Sequence, residues 1–259
     1  MKRKKPELNL GIYQKRRLAA TYRAMVRIFP AEEALFAKVE PEIRGGRILD
    51  LGVGAGRTTS ALRKISPDYL GLDYSEEMVQ AARERTPEAD IRQMDARDLS
   101  GLGSAQFDFV FFSFNGLDSV SHEDRLHILK NVAMVLKPGG WFGFSSHNFD
   151  GPIQEALSLH PPRWGNNFRG NLGELKRFFL DWIHFRRHRS REIWGEGYAI
   201  LNDCAHNYSL MNYYVSIPTQ RAQLRETGFS NELICFDDKG GEISIDSGSH
   251  WIHYLARNG

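Results

Sequence analysis

The segment ILDLGVGAGRTT, residues Ile48–Thr59, decides the fold class of this 259-residue chain. A short apolar run is followed by glycines at alternate positions, at Gly52, Gly54 and Gly56. Glycine weakens the interior of strands and helices, so this spacing indicates a turn that a ligand approaches closely. A strand, a glycine-rich turn and a helix in this order are typical of a nucleotide-binding unit.

Short apolar runs alternate with amphipathic stretches on both sides of that segment. The runs that predict strands are RILDL, DYLGLDY, DIRQM, FDFVFFSF and WFGFSSH, and helical patterns lie between them. Two further strands are predicted near the end of the chain, over Phe229–Phe236 and Trp251–Ala256. Strict alternation of strands and helices predicts an α/β fold with a doubly wound parallel sheet and helices on both faces.

The chain divides into four predicted segments. Residues 1–40 carry helical spacing and form an N-terminal helical cap, and residues 41–147 form the core sheet and its helices. In residues 148–217 the alternation stops, and the segment is too long for a bare connection, which predicts a lid or substrate module after the fifth strand. Residues 218–259 supply a helix and two strands that complete the core sheet.

Composition excludes several classes of protein. The net charge of +2, with 41% hydrophobic and 25% charged residues, is that of an ordinary globular protein and gives no argument for nucleic acid or membrane. Two cysteines without CxxC spacing predict free thiols, no metal site and a reducing, cytoplasmic location. The charged N-terminus MKRKKPELNL is not followed by an apolar region, so we expect no signal peptide, and no run of 18 apolar residues predicts a transmembrane helix. Whether the protein forms a homodimer stays open.

Three predicted strands end in a carboxylate. Asp50 repels phosphate but suits a cationic group, such as an α-amino group or a sulfonium. Asp73 suits the two hydroxyls of a ribose, and Asp95 suits the exocyclic amine of an adenine. The dinucleotide fingerprint needs a third glycine where this chain has Arg57, which disfavours an NAD dehydrogenase. The carboxylates together outline S-adenosylmethionine.

Five stretches resemble the class I S-adenosylmethionine-dependent methyltransferases, in their small-molecule branch. They are ILDLGVGAGRTT, YLGLDYSEEMV, MDARDL, FDFVFFSFNGLDSV and VLKPGGWFGFSS, in the order and spacing of that family. The resemblance covers about residues 45–147 and the last two strands. It implies a seven-stranded, mostly parallel sheet with an antiparallel last strand. It also implies the cofactor S-adenosylmethionine, the product S-adenosylhomocysteine and no metal.

The same resemblance implies a set of cofactor contacts. The glycines line the cofactor, Asp73 binds the ribose, and an N-terminal aromatic residue covers the methionine end. The predicted cofactor-binding residues are Asp50, Gly52, Gly54, Gly56, Asp73, Tyr74, Met78, Asp95, Ala96, Phe112, Tyr13 and Tyr22. Two alternatives stay open: Asp95 could cap a turn, and either tyrosine could pack at a helix interface.

Other residues are candidates for catalysis and for contact with the methyl acceptor. His147 follows the fifth strand and is the predicted general base, whereas Asn115 would orient the acceptor or the sulfonium methyl. Predicted acceptor-binding residues are Asp118, Trp164, Tyr208, Tyr213 and Tyr214. As alternatives, His147 could bond to the backbone and the aromatic rings could fill a core. The arginines of His184–Arg191 either face solvent or bind an anionic substrate.

The sequence therefore predicts a methyltransferase acting on oxygen or nitrogen of a small molecule. One alternative is an RNA methyltransferase that uses the basic N-terminus and the His184–Arg191 segment. The near-neutral charge and the lack of a recognisable RNA-binding module count against it. Another alternative is a regulatory protein that binds the cofactor without catalysis.

Overall fold

The computed structural model describes residues 22–162, 164, 167–204, 208–245 and 248–259. Most of the predicted cap, including Tyr13, lies outside these residues. Strands β1 to β5 span Ile48–Leu51, Tyr69–Asp73, Asp90–Gln93, Phe107–Phe112 and Leu136–Asn148. They pair in parallel in the order β3-β2-β1-β4-β5, so their carboxyl ends meet at one edge of the sheet.

Helices cover both faces of this sheet. Helices α1 to α4 span Pro30–Ile43, Thr59–Ile65, Glu76–Arg85 and His122–Val135. The apolar stripes of α1, α2 and α3 share one buried cluster, which contains Leu35, Leu62 and Val79. The stripe of α4 belongs to the other cluster, which contains Ile128 and Val132. The two clusters lie on opposite faces of the strands, which is the doubly wound arrangement.

The segment 148–217 contains three strands that the sequence pattern did not predict. It holds α5 (Ile153–Ala156), α6 (Phe168–Arg189), β6 (Ile193–Gly195), β7 (Tyr198–Leu201) and β8 (Asn212–Val215). Strand β8 pairs in parallel with the end of β5, where His147 lies opposite Tyr214. The three strands therefore extend the main sheet beside its carboxyl edge.

The rest of the chain completes the sheet. It comprises α7 (Ile217–Glu226), β9 (Phe229–Phe236), β10 (Glu242–Ile243) and β11 (Trp251–Asn258). Strand β11 lies antiparallel between β5 and β9. The central order β3-β2-β1-β4-β5-β11-β9 confirms the predicted fold class, and β10 and β6–β8 enlarge that sheet to eleven strands in the described part of the chain. None of the helices described combines the length and apolarity that a bilayer crossing needs.

Candidate functional site

A continuous cleft runs along the carboxyl ends of β1, β2 and β4. Two adjoining cavities form it, and they share Gly52, Asp73 and Phe112. One cavity extends towards the end of β3 and the start of α4, and the other towards Gly54 and Tyr22. Nine of the predicted cofactor-binding residues line the cleft: Tyr22, Gly52, Gly54, Asp73, Tyr74, Met78, Asp95, Ala96 and Phe112.

The glycine turn after β1 forms the floor of this cleft. Gly52 and Gly54 have φ angles of 59° and 55°, a left-handed backbone that side chains disfavour. A Cβ at Gly52 would lie 2.6 Å from the ring of Phe112, so the turn and that ring are in close contact. Gly56 has a φ of 78° and packs on Ala82 of α3. It lines neither cavity of the cleft and instead allows the loop to approach α3 closely.

Asp73 joins the end of β2 to the glycine turn. Its side chain is buried, and its two carboxylate oxygens accept the backbone N–H groups of Gly54 and Ser75, each at 2.9 Å. Burial raises the pKa of Asp73 to about 6, although these hydrogen bonds act to lower it. Asp73 therefore lies where the two cavities of the cleft meet and holds the glycine turn to the end of β2.

The structure corrects the predicted position of Asp50. This residue is fully buried, and its Oδ2 accepts hydrogen bonds from Thr58 Oγ1 at 2.8 Å and Tyr69 Oη at 2.9 Å. It lines neither cavity of the cleft. Burial raises the pKa of Asp50 to about 7. Asp50 therefore holds the strand to the start of α2 from behind the glycine turn.

At the other end of the cleft, Asp95 and Ala96 line the wall after β3. Asp95 accepts hydrogen bonds from the backbone and guanidinium of Arg97, including one at 2.6 Å from Nη2. Burial acts to raise the pKa of Asp95, but the bonds from Arg97 outweigh it and the net shift is downwards. The ion pair fixes the turn that carries Ala96, whose carbonyl accepts Asn131 Nδ2.

Aromatic rings close the opposite end of the cleft. Phe114 contacts Tyr22 edge to face at a ring distance of 5.7 Å and Trp251 at 5.4 Å. Phe29 stacks on Phe114 at 5.8 Å, and the Arg57 guanidinium lies 4.6 Å from the Phe29 ring. Sequence reasoning missed Phe29 and Trp251, because they come from elements far from the glycine turn along the chain.

The backbone after β4 adopts an uncommon conformation. Phe114 and Asn115 are consecutive left-handed residues, with φ angles of 53° and 54°. Such strain in residues other than glycine is concentrated at functional sites. The Asn115 N–H donates to Ser145 Oγ at 2.9 Å, and Asn115 Nδ2 lies 3.4 Å from His147 Nε2. The turn thereby brings both predicted catalytic residues together.

A buried ionic network supports His147 from behind. Asp118 Oδ2 accepts the backbone N–H of His147 at 2.8 Å and contacts its Nδ1 at 2.7 Å. Asp118 Oδ1 accepts from Arg125 Nη1 at 2.5 Å and from Ser146 Oγ at 2.7 Å. Both Asp118 and Arg125 are 0% exposed. Asp118 therefore cannot touch an acceptor directly, and the structure corrects that prediction: it positions His147.

Arg125 completes this network and was missed by the sequence analysis. It donates to Gln220 Oε1 at 2.6 Å, and its guanidinium lies 4.5 Å from the Tyr213 ring. The sequence does contain a sign of its burial. Arg125 precedes Ile128 and Leu129 by three and four residues, so it lies on the same buried face of α4. A charged residue in an apolar stripe indicates a buried partner.

A further cavity, called the second cavity below, is separate from the cleft and is lined by His147 and Trp251. Asn148, Pro152, Ile153 and His250 form part of its wall, together with Asp203, Cys204 and Tyr214. Asp203 is buried, and its Oδ2 accepts hydrogen bonds from Tyr214 Oη at 2.6 Å and Asn212 Nδ2 at 2.9 Å. Among the predicted acceptor-binding residues, Tyr214 alone lines this second cavity.

The other predicted acceptor-binding residues lie elsewhere. Tyr213 is buried with its hydroxyl held by Gln223, and Tyr208 is buried with its hydroxyl bonded to the Ser158 carbonyl. Both serve the packing of the inserted segment, which corrects their predicted role. Trp164 is 67% exposed and lines neither the cleft nor the second cavity. The arginines of the basic segment are exposed as well: Arg186, Arg187, Arg189 and Arg191.

Comparison with known proteins places the matching region in the core. Residues 48–140 match the family described as a methyltransferase domain. The ubiquinone biosynthesis O-methyltransferase of Methylococcus capsulatus is 30% identical over 118 residues, which are 44% of this chain and 48% of that protein. The corresponding enzyme of Bordetella avium is 28% identical over 111 residues, 41% of this chain and 44% of that protein. The chain spans about half the length of the curated relatives it matches.

Solved structures share the fold over almost the whole chain. A methyltransferase from Clostridium acetobutylicum gives a TM-score of 0.63 at 13% identity, covering 94% of this chain and 98% of that one. A possible histamine N-methyltransferase from Thermotoga maritima gives 0.58 at 17% identity, covering 95% and 98%. The 1,6-didemethyltoxoflavin-N1-methyltransferase of Burkholderia thailandensis, with bound S-adenosylhomocysteine, gives 0.56 at 17% identity, covering 96% and 84%.

Proposed function

Since residues 48–140 belong to the class I S-adenosylmethionine-dependent methyltransferase domain family, we propose that this protein methylates an oxygen or nitrogen atom of a small molecule. Membership confirms the predicted class I family, and the small-molecule branch remains part of the proposal. The observation that carries the proposal is the cleft in which Asp73 faces two left-handed glycines at the carboxyl edge of the sheet.

The cleft fits the proposed cofactor on three grounds. Bare backbone at Gly52 and Gly54 allows close approach of the methionine part. The buried carboxylate of Asp73 is a strong acceptor for ribose hydroxyls. The turn at Asp95 and Ala96 offers polar groups to an adenine at the far end, while Tyr22 borders the methionine end. When bound, S-adenosylmethionine supplies an electrophilic methyl group, whose bond to sulfur breaks as the acceptor's lone pair bonds to carbon.

His147 is the proposed general base. Because the Asp118 carboxylate accepts only, the proton of the neutral imidazole is placed on Nδ1, which leaves the Nε2 lone pair directed towards Asn115. An acceptor hydroxyl or amine would give its proton to Nε2. The negative charge of Asp118 would then stabilise the imidazolium, as the carboxylate of a catalytic triad does. Asn115 would orient the acceptor beside this nitrogen.

The proposal is tested with methyl-labelled S-adenosylmethionine and a cell extract separated by size. We expect label in the small-molecule fraction, and mass spectrometry then identifies the acceptor. Label in large molecules that ribonuclease removes would replace this proposal with RNA methylation through the exposed basic segment. Cofactor binding without any labelled product would indicate a regulatory protein.

A matched pair of variants tests the role of His147. We expect His147→Asn to lose most labelling while S-adenosylhomocysteine still binds with wild-type affinity. His127→Asn changes an exposed histidine on α4 and should retain full labelling. Equal labelling by the two variants would remove His147 from the mechanism.

A further inference from the structure

The exposed hydrophobic surface of the protein is concentrated around one helix. Of the twelve large hydrophobic side chains that are well exposed in the described part of the chain, nine lie between residues 164 and 194. On α6, five of them form an outer stripe at the spacing of one helix face: Leu172, Leu175, Phe179, Trp182 and Ile183. At about 3.6 residues per turn they fall within an arc of about 100°, and each is between 40% and 60% exposed. Exposed apolar surface of this kind marks an interaction site.

The opposite face of α6 attaches the helix to the rest of the protein. Asp181 is buried on this inner face, and the Phe185 ring contacts the Tyr208 ring edge to face at 5.5 Å. Arg177 forms salt bridges with Glu174 and Asp181. The packing of α6 and its acidic residues therefore lie on the inner face, and the outer stripe faces away from them.

Cations border the outer stripe, and no exposed acid accompanies them. By the spacing of the helix, Arg186 lies within the arc of the stripe. Lys176 and Arg187 lie beside one edge of the arc, and Arg189 lies beside the other. All four cations are exposed, whereas none of the described residues between 171 and 194 is an exposed acid. The outer face of α6 is therefore both apolar and basic.

This combination favours an anionic lipid surface. Leu, Ile, Phe and Trp side chains enter the boundary between headgroups and acyl chains, while Lys and Arg bind anionic headgroups. A second copy of the chain is disfavoured, because an isologous contact would place this basic face against an identical one, with no exposed acid on α6 to pair with. RNA also attracts cations, but the aliphatic residues Leu172, Leu175 and Ile183 offer no ring on which bases stack.

We propose that α6 binds along the surface of a membrane that contains anionic lipid, with the outer stripe at the boundary between headgroups and acyl chains. The near-neutral net charge of the whole chain conceals this local excess of cations. Arginine buries its stem in such a boundary and keeps its charge at the headgroups, which explains the place of Arg186 within the stripe. The inference goes beyond the proposed function and does not depend on it.

Sedimentation with vesicles tests this inference on wild-type protein. One preparation is phosphatidylcholine alone, and the other contains equal parts of phosphatidylcholine and phosphatidylserine. We expect binding to the anionic vesicles to be at least about tenfold tighter than binding to the neutral ones, and to weaken as salt is added. No binding to the anionic vesicles, or equal binding to both preparations, overturns the inference.

A matched pair of double variants locates the electrostatic contact. Arg186→Gln with Arg187→Gln should weaken binding to the anionic vesicles at least about tenfold, since each basic residue near such a surface contributes about fivefold. Lys64→Gln with Lys130→Gln removes two exposed cations from α2 and α4 and should bind as wild-type protein does. Equal binding by the two double variants overturns the inference.

A second pair tests the apolar contact. Phe179→Ser should weaken binding to the anionic vesicles about tenfold or more, because a phenyl ring leaves the boundary. Ile245→Ser removes an exposed apolar side chain outside α6 and should leave binding unchanged. Both side chains are exposed, so we expect both variants to fold, and circular dichroism checks this. Binding that does not respond to Phe179→Ser overturns the inference.

Fluorescence quenching reports whether the outer stripe enters the boundary. With brominated phosphatidylcholine in the anionic vesicles, tryptophan emission of wild-type protein should be quenched, and Trp182→Phe should reduce that quenching. Vesicle binding without quenching overturns the placement of the stripe.

Two other results would assign this face to a different partner and overturn the inference. One is a dimer that Phe179→Ser dissociates, without vesicle binding. The other is binding of single-stranded RNA that Arg186→Gln with Arg187→Gln abolishes, without vesicle binding. None of these measurements uses the cofactor, so their outcome is independent of the proposed function.

Discussion

Replacement of Asp118 by asparagine tests the network that supports His147. The carboxylate accepts four hydrogen bonds, two on each oxygen, at distances between 2.5 and 2.8 Å. An amide has one accepting oxygen, so in either orientation two of these donors face an NH2 group. In either orientation the neutral amide leaves Arg125, a cation that is 0% exposed, without its counter-charge. If the NH2 group faces His147, the proton also cannot remain on Nδ1.

The expected loss of stability follows from the burial of this pair. Breaking a buried ion pair by removing one partner costs about 3–5 kcal/mol, and we expect that range for the free energy of unfolding of Asp118→Asn. Urea unfolding followed by circular dichroism measures it. Asp90→Asn, which breaks an exposed pair with Arg92, should stay within about 0.5 kcal/mol of wild type. A loss below about 1 kcal/mol for Asp118→Asn would refute the reasoning, because it would show that the Asp118–Arg125 ion pair contributes little to stability.

The imidazole itself gives a second measurement of the same variant. Nitrogen NMR distinguishes the two neutral tautomers, and His147→Asn identifies the signal of His147 among the nine histidines. We expect the proton on Nδ1 in wild-type protein. A wild-type imidazole with its proton on Nε2 would contradict the role assigned to Asp118.

Three further predictions concern Asp50, His253 and Gly52. Burial raises the pKa of Asp50 to about 7, so the stability that its protonated side chain contributes is lost as pH rises through 7. Between pH 4 and pH 8, the free energy of unfolding of Asp50→Asn should therefore rise by up to about 4 kcal/mol relative to that of wild type. A difference in urea unfolding that does not change with pH would contradict this. Burial lowers the pKa of His253 to about 4, so the stability of wild-type protein relative to His253→Phe should fall by about 3 kcal/mol as pH falls from 6.5 to 4. A difference that does not change with pH would show that His253 does not titrate in this way. Gly52→Ala should weaken S-adenosylhomocysteine binding about tenfold or more, since strain of about 1–2 kcal/mol adds to contact with Phe112. Gly45→Ala is the control, because Gly45 has a similar left-handed backbone, with a φ of 75°, but a Cβ there would meet no atom within 4 Å. This variant should bind S-adenosylhomocysteine with wild-type affinity.

The sheet could be predicted from the sequence because each of its core elements carries a local pattern. The five parallel strands and the helices among them show the strand and helix patterns of apolar residues, and right-handed crossovers then bring the carboxyl ends of the strands to one edge. That geometry suffices to place Asp73 and the turn at Asp95 in one cleft. The short strands β6–β8 were missed because three or four residues give little pattern, and their pairing with β5 depends on distant residues.

The direction of individual side chains was harder to predict. Asp50 lies between Leu49 and Leu51 on β1, and both leucines belong to the buried cluster that packs against α4. Because successive side chains of a strand point to opposite faces, the Asp50 side chain points away from that cluster and towards Tyr69. Its negative charge suggested a ligand instead. Asp118 follows no regular strand, and its burial depends on Arg125 from the helix that follows, so nothing local indicated it.

Binding of S-adenosylhomocysteine to wild-type protein and to Asp73→Asn, measured by calorimetry beside the exposed-site control Asp68→Asn, tests the central claim most directly. The account predicts binding by wild-type protein and by the control with equal affinity. It also predicts a loss of about 10- to 150-fold in Asp73→Asn, because a charge-assisted hydrogen bond is worth about 1.5–3 kcal/mol. Absence of binding to wild-type protein, or equal affinity of Asp73→Asn and the control, would contradict the assignment of this cleft to the cofactor.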